Sequence, residues 1–258
     1  MPGAKLYIYE EGTDIALLPF FVQEKNLCSF RYGGMLSSQN NGEFIDNCRN
    51  DLRKYCAKAN LKSIITRNHP FLSTVKIGEV VRKEPFVCID LNKSAARLDK
   101  EISKKHLTCI KKAKNDNITF YESNNLKYLV VFYKMYTDLL LKKKVLPEKF
   151  SYFIKMFSHS KRNLSFACTK HEKEIIAVSI ILKSKYNLFM MYGAMEKLGY
   201  QKYAKHLMIY NLISKYKKKN YKHLVLGTGS IDYDSIYKFK RGFTDKNDYI
   251  YTYEEKLA

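Results

Sequence analysis

Apolar and polar positions along this chain recur with two periods, and the switches between them mark the elements. Residues 6–22 read as a strand, a turn and a second apolar stretch, and 29–38 as a glycine-containing loop. Phe44, Ile45, Cys48, Leu52, Tyr55, Cys56 and Ala59 then recur at the spacing of one helix face. Residues 63–66 and 85–91 are short β-former runs and predict strands. In 94–114, Leu98, Ile102, Leu107 and Ile110 interrupt a charged segment, which predicts one amphipathic helix with a basic face.

From residue 118 onward the pattern predicts a strand (118–121) and two helices (126–141 and 148–157), the second starting just after Pro147. Three antiparallel strands follow, over 164–169, 174–182 and 188–192, the first two joined by a turn at 171–173. The run 174–182 carries few charges, as a strand near the centre of a sheet does. A helix is predicted over 201–217, a strand over 223–226, a short helix over 234–240 and a closing strand over 249–253. The class is α/β (α+β), with a mixed, largely antiparallel sheet flanked by helices.

The length, 258 residues, suits one large domain or two of about 100–150 residues. No apolar run approaches the roughly 18–20 residues of a membrane span, and the first residues show no signal-peptide pattern, so a cytoplasmic protein is expected. The six cysteines form no C-x-x-C pair and read as buried free thiols. The six histidines show no ligand spacing, and no metal is expected. The net charge of +21 invites a polyanion. It comes from 38 lysines against eight arginines, spread along the whole chain, in a sequence rich in Asn, Ile and Tyr and without Trp. An AT-rich genome produces the same bias, so charge alone leaves a nucleic-acid partner open.

Local motifs narrow the reading. Tyr32-Gly33-Gly34 lies in the N-terminal half, and the basic helix ends in Ile110-Lys111-Lys112-Ala113-Lys114. Tyr192-Gly193-Ala194 follows the third strand of the antiparallel set. Leu226-Gly227-Thr228-Gly229 precedes Phe239-Lys240-Arg241-Gly242-Phe243. In order and spacing these resemble the Fem-type branch of the GNAT acyltransferases, the peptidoglycan-bridge aminoacyl ligases and their relatives. The corresponding patterns there are Y-G-G, I-R-K-A-x-K, Y-x-G/A-S, and D-L-G-G followed by F-K-x-x-F-G. Thr244 stands where the last pattern has its glycine, and the inserted coiled-coil arm of the bridge ligases is missing.

The resemblance implies a GNAT-like tandem: a degenerate, acceptor-binding lobe over 1–115 and an acyltransferase lobe over 116–258. It places the acyl donor where two parallel strands, 188–192 and 223–226, splay apart, with the main chain at Tyr192 and Gly193 as its cradle. Gly193 also reads as an ordinary strand-end glycine. CoA-using GNAT enzymes open the next helix with Q/R-x-x-G-x-G/A. The best fit here starts at Gln201, with Ala204 and His206 at the glycine positions. Lys240 is the candidate catalytic residue, neutralising charge on the departing group, and Arg241 shares the donor site; the alternative for Lys240 is one more solvated lysine. Arg31, Tyr32, Gly33 and Gly34 are candidates for gripping a phosphate-bearing acceptor, or else form a tight turn. Glu196, Asp232 and Asp234 lie near the expected site, but none is singled out as a general base.

The expected activity is N-acyl transfer to an amine on a nucleotide-linked sugar or a cell-envelope glycan or peptidoglycan precursor. The co-substrate is acyl-CoA or aminoacyl-tRNA, with no permanently bound cofactor. The alternative is a non-catalytic GNAT-fold module that binds RNA.

Overall fold

The computed structural model describes residues 3–72, 74–160, 162–230 and 232–257. In chain order the elements are β1 (Lys5–Glu11), β2 (Asp14–Gln23), β3 (Asn26–Ser29), β4 (Leu36–Ser37), α1 (Gly42–Lys58), β5 (Ser63–Arg67) and β6 (Glu79–Asp90). Next come α2 (Ala95–Glu101), α3 (Lys104–Asn115), β7 (Thr119–Ser123), α4 (Lys127–Lys142), α5 (Phe150–Ser160), β8 (Leu164–His171), β9 (Glu174–Lys183) and β10 (Asn187–Met195). The chain ends with α6 (Lys197–Gln201), α7 (Ala204–Lys217), β11 (His223–Gly227), α8 (Ser235–Arg241) and β12 (Asp248–Lys256).

Two compact units divide the chain: 1–85 with 249–258, and 86–248. The division falls within β6, earlier than the boundary at residue 115 expected from the sequence. The reason is packing: Leu98, Ile102, Ile110 and Ala113 of α2 and α3 are buried in one cluster with Leu207, Met208 and Leu212 of α7. Those helices therefore belong to the second unit, and the closing strand returns to the first.

In the first unit β1, β2 and β3 form an antiparallel meander, β4 pairs β2, β3 runs parallel to β5, and β12 pairs β5 antiparallel. Phe44, Cys48, Leu52 and Cys56, one stripe of α1, pack with Leu18, Phe20 and Leu27 of this sheet. Asn41 caps α1 by accepting from Glu43 N at 3.0 Å.

The second unit has the sheet order β6-β11-β10-β9-β8-β7. All its pairings are antiparallel except β10 with β11. β9 is buried on both faces, as its low charge predicts. Ala177 and Ile181 join the cluster under α7, while Val178 and Ile180 join the cluster under α4 and α5, with Phe132 and Phe153. The order from α2 to α8 is the predicted one, with two helices split. The helix predicted over 94–114 breaks where Ile102 is extended and Ser103 accepts from His106 N, a cap that restarts the helix as α3. The helix predicted over 201–217 is α6 and α7, separated by Tyr203 in a left-handed conformation (φ 55°).

Among the described residues no helix is long and apolar enough to cross a membrane.

Candidate active site

The parallel ladder between β10 and β11 is short. Asn187, Leu188 and Phe189 pair with His223, Leu224 and Val225, and there the ladder stops. β10 then takes a bulge between Met190 and Tyr192 and stays with β9; a bulge bends and re-aims the strand that carries it. A cavity of about 450 Å³ lies at this divergence, lined by residues 190–195 of β10, Leu226 of β11, Lys205, His206 and Ile209 of α7, and Phe239 and Lys240 of α8.

Besides tyrosines, the titratable groups lining the cavity are three amines, Lys143, Lys205 and Lys240, and the imidazole of His206; among the described residues no carboxylate lines it. Lys240 is half-buried, and its Nζ donates to the Thr228 carbonyl oxygen at 2.7 Å. Burial pushes its pKa down to about 8, with the Asp234 charge pulling the other way. Lys238, on the same short helix, is exposed. Asp234 caps α8, accepting from Tyr237 N at 2.7 Å and Ser230 N at 2.8 Å. Glu196 and Asp232 are exposed and lie outside the cavity lining.

Lys205 is the residue that sequence reading missed. Its Nζ donates to the Val178 carbonyl oxygen at 3.2 Å and to Ser179 Oγ, and meets Met208 Sδ at 3.9 Å. Burial, reinforced by the Lys240 charge, pushes its pKa down to about 7. Gly193 makes room for it: a methyl group there would stand 2.6 Å from Lys205 Nζ and 3.0 Å from Ser179 Oγ. The available signal was a lysine between Ala204 and Leu207-Met208, on the buried side of α7, but among 38 lysines it does not stand out. His206 packs edge-on against His106 and Phe239, at 4.7 and 4.9 Å between ring centroids. Burial and the neighbouring His106 push its pKa down to about 4.

No family model and no curated protein matches this sequence. Solved structures do match the fold. FemX aligns with a TM-score of 0.69 at 11% identity, over 97% of this chain and 88% of its own. The C-terminal domain of a protein assigned as a lysylphosphatidylglycerol synthetase from Agrobacterium fabrum aligns at 0.65 and 10% identity, over 96% and 83%. A tandem GNAT protein from the clavulanic acid biosynthesis pathway aligns at 0.59 and 7% identity, over 100% and 84%. The chain has the GNAT-like fold of the Fem-type proteins.

Within this Fem-type fold the sequence-predicted residues separate. Tyr192, Gly193 and Lys240 meet in the cavity. Gln201 does not: it ends the short α6, is exposed and stands outside the lining, because the helix expected to open there begins at Ala204. Arg241 also stands outside, its guanidinium donating to Asn247 Oδ1 at 2.9 Å. Arg31, Tyr32, Gly33 and Gly34 belong to the first unit. There Gly33 N closes a tight turn on the Phe30 carbonyl oxygen, and Gly34 lies so close to β5 that a Cβ would stand 2.6 Å from the Arg67 carbonyl oxygen. Packing therefore accounts for both glycines. The Arg67 guanidinium lies 5.5 Å from the Tyr32 ring centroid.

Proposed function

We propose that this chain is an N-acyltransferase, moving an acyl or aminoacyl group onto an amine of a nucleotide-linked sugar or a cell-envelope glycan or peptidoglycan precursor. The observation that carries the reading is the cavity at the divergence of β10 and β11, walled by the half-buried amine of Lys240 and, among the described residues, free of carboxylates. Aminolysis of an ester or thioester needs positioning, stabilisation of an oxyanion and of a leaving oxygen or sulfur, and removal of one proton. Lys240, cationic below about pH 8, supplies positive charge to the leaving atom. The main chain of Tyr192 and Gly193, beside the bulge, is assigned to the donor carbonyl.

The donor is assigned as aminoacyl-tRNA in preference to acyl-CoA. Ala204 is buried and His206 is wedged among aromatic rings, so α7 opens without the glycines of a pyrophosphate loop. FemX and the lysylphosphatidylglycerol synthetase domain share the fold, which supports an aminoacyl donor, and +21 suits a polyanionic one.

Incubation with charged tRNA or labelled acetyl-CoA and a panel of amino-sugar nucleotides and peptidoglycan precursors tests the reading. Transfer from tRNA to one of these acceptors is expected. RNA binding with a steep salt dependence and no transfer from either donor would instead establish the non-catalytic module.

Gly193→Ala carries a prediction of its own. Its backbone tolerates alanine, so the variant should fold. The new methyl group displaces the Lys205 amine, and transfer should fall about 10-fold or more, since displacement by about 1 Å can cost 10²-fold. Unchanged kcat with an unchanged melting temperature would mean that the slot has no part in the chemistry.

A further inference from the structure

We infer that Lys205 is the proton acceptor of the transfer reaction, its amine held in the space left by Gly193 to take the proton that the attacking nitrogen must lose. This rests on the acyl-transfer reading of the cavity.

Two strong acceptors match the two hydrogens of a neutral amine, and the third neighbour, Met208 Sδ, accepts only weakly. A neutral lysine has two N–H bonds and one lone pair. Val178 O and Ser179 Oγ receive the two hydrogens, and the lone pair remains. An ammonium has a third hydrogen, and the remaining neighbour, Met208 Sδ at 3.9 Å, is a weak acceptor.

Of the neighbouring charges Lys240 on α8 disfavours the cation, and Cys168 favours it only as a thiolate. On β8, Cys168 is pushed up to about 12 by burial, so it is a neutral thiol near pH 7 and offers no counter-anion. β9 presents only the Ser179 hydroxyl and the Val178 carbonyl, and β10 presents Gly193. Lys143, at the end of α4, is a further positive charge in the lining. His206 is neutral near pH 7, but with a pKa of about 4 it is a poor acceptor. Burial lowers the pKa of both amines, Lys205 to about 7 and Lys240 to about 8; Lys205, with its hydrogens on Val178 and Ser179, is assigned as base, and Lys240, bonded to the Thr228 carbonyl, as acid.

The step balances as follows. The acceptor arrives as a free amine, and its lone pair forms the C–N bond as the carbonyl π pair moves to oxygen. The nitrogen, now cationic, gives one proton to Lys205. The oxyanion pair re-forms C=O and the C–O bond to the tRNA ribose breaks (C–S for CoA), the leaving atom taking a proton from Lys240. An amide and a free hydroxyl or thiol result, with Lys205 charged and Lys240 neutral. Return of one proton from the first to the second through solvent restores the enzyme.

Two experiments on the full chain test this. In the first, Lys205→Met and Lys205→Arg are compared with wild type over pH 5–10 with the active donor. Both variants should lose about 10²-fold at pH 7, and the acid limb near pH 7 should vanish from the residual kcat/KM. Arginine cannot act as a base at these pH values, so wild-type activity in Lys205→Arg would overturn the inference and leave a cation-binding role. Persistence of the acid limb in Lys205→Met would also overturn it. The second experiment needs no variant: competitive acetylation of wild type with acetic anhydride, read by mass spectrometry, should titrate Lys205 near pH 7, well below the ordinary lysine range (about 10.4). Titration of Lys205 in that range refutes the base and leaves the transfer reading standing. A wild type that transfers from neither donor refutes the transfer reading, and the base with it, even where Lys205 titrates near 7.

Discussion

Lys240→Ala is expected to lower kcat by about 10²-fold or more, equivalent to roughly 2.7 kcal/mol of transition-state stabilisation. The lysine is half-buried in the cavity wall and bonded to the Thr228 carbonyl, so it is not one more solvated lysine. On the proposed transfer reaction, removing it deprives the leaving atom of a positive charge in a partly desolvated site, where charge acts most strongly. Stability should change by no more than about 1 kcal/mol, the scale of the single hydrogen bond lost at Thr228. Lys240→Arg should recover only part of the rate, because a planar guanidinium replaces a compact ammonium. Since burial depresses the pKa to about 8, activity requiring the cation is full well below that pH and declines as pH rises through it. Exposed Lys238→Ala makes the same change in net charge and is the control. Equal losses in the two variants would mean that a diffuse positive field does the work. A loss confined to KM would mean that Lys240 binds substrate without favouring the transition state.

Glu122→Ala should produce the largest loss of stability, about 3 kcal/mol or more. The Glu122 side chain is 4% exposed on β7. Its carboxylate meets Lys183 at 2.6 Å and Lys215 at 2.7 Å, and accepts from Tyr216 Oη at 2.6 Å and from Ser165 Oγ. Burial alone would raise its pKa, but these four partners outweigh burial and hold it down to about 2. Alanine strands two buried hydroxyls and two cations that share one partner. Both lysines keep some contact with water, which holds the cost at the lower end of the range for a broken buried pair. Because the folded pKa is depressed, the contribution is complete above the ordinary value of about 4.5 and is lost as pH falls through about 2. In urea titrations the gap between wild type and Glu122→Gln should therefore narrow from pH 5 to pH 2. A constant gap would show that hydrogen-bond geometry, and not charge, is responsible.

These two residues differ in how visible they are in the sequence. Lys240 stands in an aromatic frame, Phe239 to Phe243, inside a motif. The apolar run 188–192 predicts a strand end at Tyr192-Gly193, but β10 continues to Met195 because residues 192–195 keep pairing with β9 beyond the bulge. Local pattern alone reached the element order from β7 to α8, since the two-residue and 3.6-residue periods are properties of consecutive residues. The helix break at Ser103 was also local, a cap signal overridden by the apolar spacing around it. Glu122 and Lys205 were not legible. Each is an ordinary charged residue by type and spacing, and its importance comes from partners far along the chain: Lys183 and Lys215 for the first, Val178, Ser179 and Gly193 for the second. The return of β12 to the first unit and the packing of α2 and α3 on α7 were equally out of reach, because strand pairing and helix docking join segments whose separation leaves no periodic trace. Sequence pattern thus carried the class of fold and the position of one lysine. The three-dimensional arrangement set the charge states, because a pKa is shifted by burial and by neighbouring charges, and both exist only once distant segments have packed.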